Sequence, residues 1–234
     1  MNANVRQKPT ALGLKNVSNQ QRFILFGLLV LCLIPVLAGG ARLTELSIGA
    51  DVTRENARFF ASPLPVVIHI ISVTLYTILG AFQFIKGTRR WKPRLHQKLG
   101  RYLLLPAGLA AAISGIWMTL FYDLPSLDGV VLNIMRLIFG TLMVVYLALA
   151  YLAVRQRDYK QHGVWMLRAY AIGMGAGTQV LTNIVGLILL GELDVFSRAV
   201  VMGAGWVINV LVAEWIIHRQ RSELNRQVRP SMAQ

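Results

Sequence analysis

Apolar residues fall into six long runs along the chain: Phe23 to Ala41, Pro65 to Ile85, Tyr102 to Phe121, Gly129 to Val154, Val164 to Leu190 and Phe196 to Ile217. A helix needs about 20 apolar residues to cross the hydrocarbon layer of a bilayer. The pattern predicts an all-α integral membrane bundle of six transmembrane helices. A polar tail covers residues 1–22, the membrane domain 23–218 and a second tail 219–234. The first run holds about 19 residues behind a long polar leader, whereas the apolar part of a cleaved signal has about 7 to 15, so it reads as a retained helix. One loop is long, Arg42 to Leu64, and carries both charge signs with Phe59, Phe60 and Pro63.

Composition agrees with this reading. Hydrophobic residues make up 55% of the chain and charged residues 15%, with a mean hydropathy of +0.54, whereas roughly a quarter of a soluble domain is charged. A soluble domain, a disordered chain and a collagen-like chain are excluded. The single cysteine, Cys32, excludes a disulfide framework and any cysteine-based zinc or iron–sulfur site. The net charge of +14 points to basic cytoplasmic loops facing lipid, not to nucleic acid. The N-terminal tail, the loop from Lys86 to Arg101, the loop from Arg155 to Lys160 and the C-terminal tail hold 18 Lys and Arg. The opposite side holds four: Arg42, Arg54, Arg58 and Arg198. The positive-inside rule then places both termini in the cytoplasm and the chain in the cell's inner membrane.

Polar side chains inside the runs are the functional candidates, because they are costly in lipid and turn toward the bundle interior. His69, Tyr76 and Gln83 are seven residues apart, so they share one face of the second helix. Arg168, Gly175, Gln179 and Thr182 share a face of the fifth, and Asn133 and Arg136 mark the fourth. At about 1.5 Å of rise per residue two clusters emerge. His69, Trp117, Asn133, Arg136, Gln179 and Asn183 lie toward the outer leaflet; Gln83, His96, Arg101, His162, Arg168, Glu214 and His218 lie toward the cytoplasm. Arg136 needs a partner: Asp123 or Asp128, the amides of Gln179 and Asn183, or the head group of a ligand. Together His69, Tyr76, Gln83, Trp117, Arg136, Arg168, Gln179 and Asn183 outline a ligand pocket, with Arg136, His69 and Gln179 expected on one cavity open to the outside.

The remaining motifs bear less chemistry. Small residues four apart, Ala107, Ala111, Gly115 and Ala169, Gly173, Gly177, allow close helix approach. The run Gly173 to Gly177 lacks the strand and turn of a phosphate loop. Trp91, Trp117 and Trp165 suit the interfacial aromatic belt. Only His69 lies in the outer leaflet, so two stacked haems are excluded. One haem b would be held by His96 and His162, which precede the third and fifth helices.

His69 and the strings Gly80 to Phe84 (GAFQF), His96 to Arg101 (HQKLGR), Gly115 to Tyr122 (GIWMTLFY) and His162 to Gln179 (HGVWMLRAYAIGMGAGTQ) resemble a family of bacterial multi-pass membrane proteins known as domain of unknown function 2306. The resemblance covers roughly Arg42 to Ile188 and implies a membrane fold of six to seven helices. Family members often carry Arg after each loop histidine, where this chain has Gln97 and Gly163.

Three functions fit. The first is a polar pocket binding a small hydrophobic or redox-active ligand, with quinone or haem the leading candidates. The second is a non-catalytic accessory subunit of a membrane complex, bound to a partner membrane protein. The third, a transporter of protons or small solutes, ranks below both because the sequence shows no inverted repeat or broken-helix pair. Enzymatic activity is left open, since no nucleophile constellation is present. The orientation has a direct check: alkaline phosphatase fused after Arg229 is expected to be inactive, and a cysteine at Ser126 to react from outside; the reverse pattern overturns it.

Overall fold

The computed structural model describes residues 18–84 and 92–228. Most of the basic N-terminal tail, the last six residues and the middle of the second loop, Trp91 included, lie outside the described residues. The regular structure among those described is helical, with no strand: α1 (Asn19–Ile48), α2 (Ala57–Ala61), α3 (Pro63–Gln83), α4 (Pro93–Leu99), α5 (Leu105–Phe121), α6 (Gly129–Arg155), α7 (Tyr159–Gly173), α8 (Gly175–Leu190) and α9 (Val195–Val228). Five stretches are long and apolar enough to cross a membrane: α1, α3, α4 with α5, α6 with its preceding turn, and α9. The bent pair α7 and α8 makes a sixth.

Local chemistry sets the helix ends. Ser18 caps α1 by accepting the Gln21 N–H at 3.3 Å, and Asp158 caps α7 by accepting that of Gln161 at 2.9 Å. Asp194 does the same for α9. Its Oδ1 accepts the Ser197 hydroxyl at 2.6 Å and N–H at 2.7 Å, and these bonds hold its carboxyl below the ordinary range. Pro63 sits in the first turn of α3, where its missing N–H costs nothing. Pro106, by contrast, would face the Tyr102 carbonyl in a continuous helix; a π turn over Gly100–Leu104 absorbs the misfit between α4 and α5.

α3, α5 and α6 pack in series, α1 lies across α3 and α8, and α9 closes the bundle against α6, α7 and α8. α7 is the inner element: Ala169 to Ile172 are all buried. Two tyrosines fill the centre. The Tyr76 ring lies in a slot between Gly108 and Gly173, and the Tyr170 ring lies against Gly80, where a β-carbon on any of the three glycines would collide with a ring. Tyr170 donates to the Thr77 carbonyl at 2.7 Å.

The fifth apolar run departs from the expected single helix. It breaks at Met174 into α7 and α8, which are bent by 44°, so the chain does contain a broken pair. The cause is contact on three sides. A β-carbon at Gly173 would meet the Tyr76 ring, at Gly175 the Trp206 indole, and at Gly177 the backbone carbonyl of Leu31. α3, α9 and α1 thus converge on the break. The Ala171 carbonyl, which would meet the Gly175 N–H in a continuous helix, instead accepts from Asn209 Nδ2 at 3.1 Å. Asn209 Oδ1 accepts the Thr178 hydroxyl at 2.8 Å, so one side chain of α9 clasps both halves.

Helix propensity favours Ala over Gly by about 1 kcal/mol, which gives two substitutions of opposite sign. Gly163→Ala, with nothing within 4 Å, is expected to raise the thermal midpoint in detergent. Gly177→Ala, forced into the Leu31 backbone, is expected to lower it by several degrees.

Candidate functional site

Polar groups concentrate at both ends of the bundle, and the end joining the first, third and fifth loops is the more strongly knit. Tyr122 donates to the Ser62 carbonyl at 2.6 Å, and its ring meets Phe59 edge-on at 5.6 Å. The Arg42 and Arg58 guanidiniums lie 4.5 and 4.6 Å from the centre of the same Phe59 ring. Trp117 belongs to this cluster, 5.1 Å from Phe121 and 5.6 Å from Tyr122.

Deeper at this end is a buried carboxylate. A 3-10 turn over Ser126–Asp128 leads into α6 through Gly129, whose φ of +60° and contact with Val195 both require a residue without a β-carbon. That turn tucks Asp128 inward, leaving its side chain 4% exposed. Arg136, two turns into α6, reaches Asp128 Oδ2 with Nη2 at 2.7 Å, and Arg198, in the first turn of α9, reaches Oδ1 with Nε at 2.9 Å. Arg136 Nη1 also donates to Asn133 at 2.9 Å. Asp128 is therefore the partner Arg136 needs, ahead of Asp123, Gln179 and Asn183. One carboxylate between two guanidiniums leaves a formal charge of +1, and the arginine side chains remain 22% and 28% exposed.

At the opposite end the intramembrane cation is matched one to one. Arg168 of α7 makes a bidentate pair with Glu214 of α9, Nε to Oε1 at 2.5 Å and Nη2 to Oε2 at 2.8 Å. Its guanidinium lies 4.7 Å from the centre of the Trp165 ring, which stacks on Tyr146. His162 joins α7 to α6 through Nδ1 and the Ala150 carbonyl at 3.0 Å, the kind of bond that leaves Nε2 as the ligating nitrogen of a metal-bound histidine. His96 lies half-buried on α4, which packs chiefly on the π turn, whereas α7 packs chiefly on α6. Among the described residues no group of three or more His, Cys, Asp or Glu side chains could hold a metal ion.

The other candidates bond to different neighbours. His69 Nδ1 meets the Ala111 carbonyl at 2.9 Å and Ser114 Oγ at 3.1 Å on α5. Gln179 donates to the Met202 carbonyl of α9 at 3.0 Å, and Asn183 donates to the Gln179 carbonyl at 2.7 Å. Gln83 is the half-buried last residue of α3, and Tyr76 lies in the core. His69, Arg136 and Gln179 thus take part in three separate helix contacts: α3 with α5, α6 with α9, and α8 with α9. Two residues the sequence reading passed over are central. In the sequence Arg198 reads only as a loop charge, whereas Asn209 carries a signal of its own, an amide within an apolar run.

Six apolar crossings, internally paired arginines and glycine-lined helix contacts define a multi-pass α-helical membrane protein. Residues 66–217, well over half of the chain, match the family model described as "Predicted membrane protein (DUF2306)", and the chain belongs to that family. No curated protein and no solved structure matches it.

Breaking a buried ion pair by removing one member strands the other charge, at a cost of about 3–5 kcal/mol. Asp128→Ala, which strands two arginines, is expected to destabilise the purified protein by about that much. Arg219→Ala, at an exposed pair 65% and 61% accessible, is expected to cost about 0–1 kcal/mol. Chemical denaturation in mixed micelles measures both.

Proposed function

We propose that the bundle is a membrane-embedded binding protein for a small lipophilic molecule with an anionic or carbonyl head, held at the Asp128 end by Arg136 and Arg198. One observation carries the reading: two arginines, each with about a quarter of its side chain exposed, share a single buried carboxylate. The cluster keeps a positive charge and spare N–H donors at the depth where a head group sits, and a planar guanidinium suits a carboxylate, phosphate or quinone oxygen. Quinone is the leading redox-active candidate. The charge bias of the loops supports an inner-membrane location with cytoplasmic termini, which puts this end of the bundle outside.

A second reading, a non-catalytic accessory subunit, is favoured by the pairing of Arg168, Gln179, Asn183 and Asn209 within the chain itself. Such bonds fix helix packing without a ligand. The broken α7–α8 pair gives a transport reading a feature that transporters use, but the bonds across it are all internal to the bundle.

Mass spectrometry of small molecules retained through purification tests the binding reading. Arg136→Leu and Arg198→Leu are each expected to lose most of a lipophilic companion that the parent protein and Arg94→Leu both keep. Equal retention by all four proteins, at equal expression, would support the accessory role instead.

A further inference from the structure

The centre of the bundle holds a polar atom that the described residues leave unanswered. Tyr76 is 1% exposed, and among the described residues its hydroxyl has no hydrogen-bond partner. The neighbouring polar groups are satisfied: Tyr170 by the Thr77 carbonyl, Thr77 by that of Val73, and Thr178 by Asn209. Tyr76 cannot turn to join them, because its ring is held between Gly108 and Gly173. A buried hydroxyl without a partner is expensive, and proteins commonly resolve such groups with an internal water.

The helix break lies beside it. In an uninterrupted helix the Gly173 carbonyl would accept the Gly177 N–H, but that N–H turns to the Met174 carbonyl at 3.1 Å. The Tyr76 ring packs directly on Gly173, the residue whose carbonyl loses its helical donor, Gly177 N–H, at the break. We propose that this is a mid-membrane binding site for a single water molecule, bridging the Tyr76 hydroxyl to the carbonyl of Gly173. The guest is neutral because the carboxylates of Asp128 and Glu214 are already engaged by arginines at the two ends of the bundle, which leaves none to balance an ion here. It is small because Leu104, Leu147 and Met143 close the core around the ring. The site is separate from the arginine cluster and stands whether or not that cluster binds a ligand.

Tyr76→Phe removes only the hydroxyl. Infrared spectra of the full chain in lipid nanodiscs, in ordinary and ¹⁸O-labelled water, read the site directly. An ¹⁸O-sensitive band of internal water is expected in the parent protein and not in Tyr76→Phe, with a thermal midpoint about 2–4 °C lower in the variant. Absence of such a band from the parent protein, or its survival in the variant, overturns the proposal. If the variant cannot be purified, an experimental density map of the parent protein decides, with an ordered water within hydrogen-bond distance of Tyr76 Oη expected and continuous apolar packing there the contrary result.

Discussion

Hydrocarbon offers no hydrogen bonds, so a chain that crosses it must satisfy its backbone polar groups from within. That constraint shapes the bundle. Its backbone is helical, its intramembrane side chains bond to neighbouring helices, and those bonds decide which helices lie together. α3 is tied to α5 through His69, α6 to α9 through Asp128, and α7 to α9 through Arg168 and Glu214. Small residues make the same contacts possible by bringing backbones close enough for short side chains to reach.

The interruption at Met174 follows the same rule locally. Breaking a helix in the membrane frees backbone groups, and the bundle meets the cost with an amide from α9 that accepts on one side and donates on the other. The three glycines around the break are packing requirements imposed by Tyr76, Trp206 and Leu31. They let α1, α3 and α9 press on the bend from three directions, which holds its angle.

The helical class and the order of the crossings were legible because run length and hydropathy report them directly. The break was not, since its glycines sit in a run as apolar as its neighbours and its clasp, Asn209, lies 38 residues from the Ala171 carbonyl it binds. For Arg136 the sequence narrowed the partner to a short list that included Asp128. Rise per residue fixes depth only to about a turn, so the choice had to come from the tight turn at Gly129. Arg198 was missed because a cation at the start of a helix reads as a topological charge. The unshared bonds of His69 and Gln179 could not be read either, since two residues at one depth can still face different helices.

Asp128 is one carboxylate shared by two arginines, and the proposed lipophilic molecule presents its anionic or carbonyl head to the guanidinium donors that Asp128 leaves unused. The most direct measurement is an experimental density map of the protein in nanodiscs prepared from its own membrane lipids. Density from a non-protein head group is expected within hydrogen-bond distance of the Arg136 and Arg198 guanidiniums, continuing as an apolar tail along the bundle. Guanidiniums that contact only Asp128, Asn133 and ordered solvent would contradict the proposed binding.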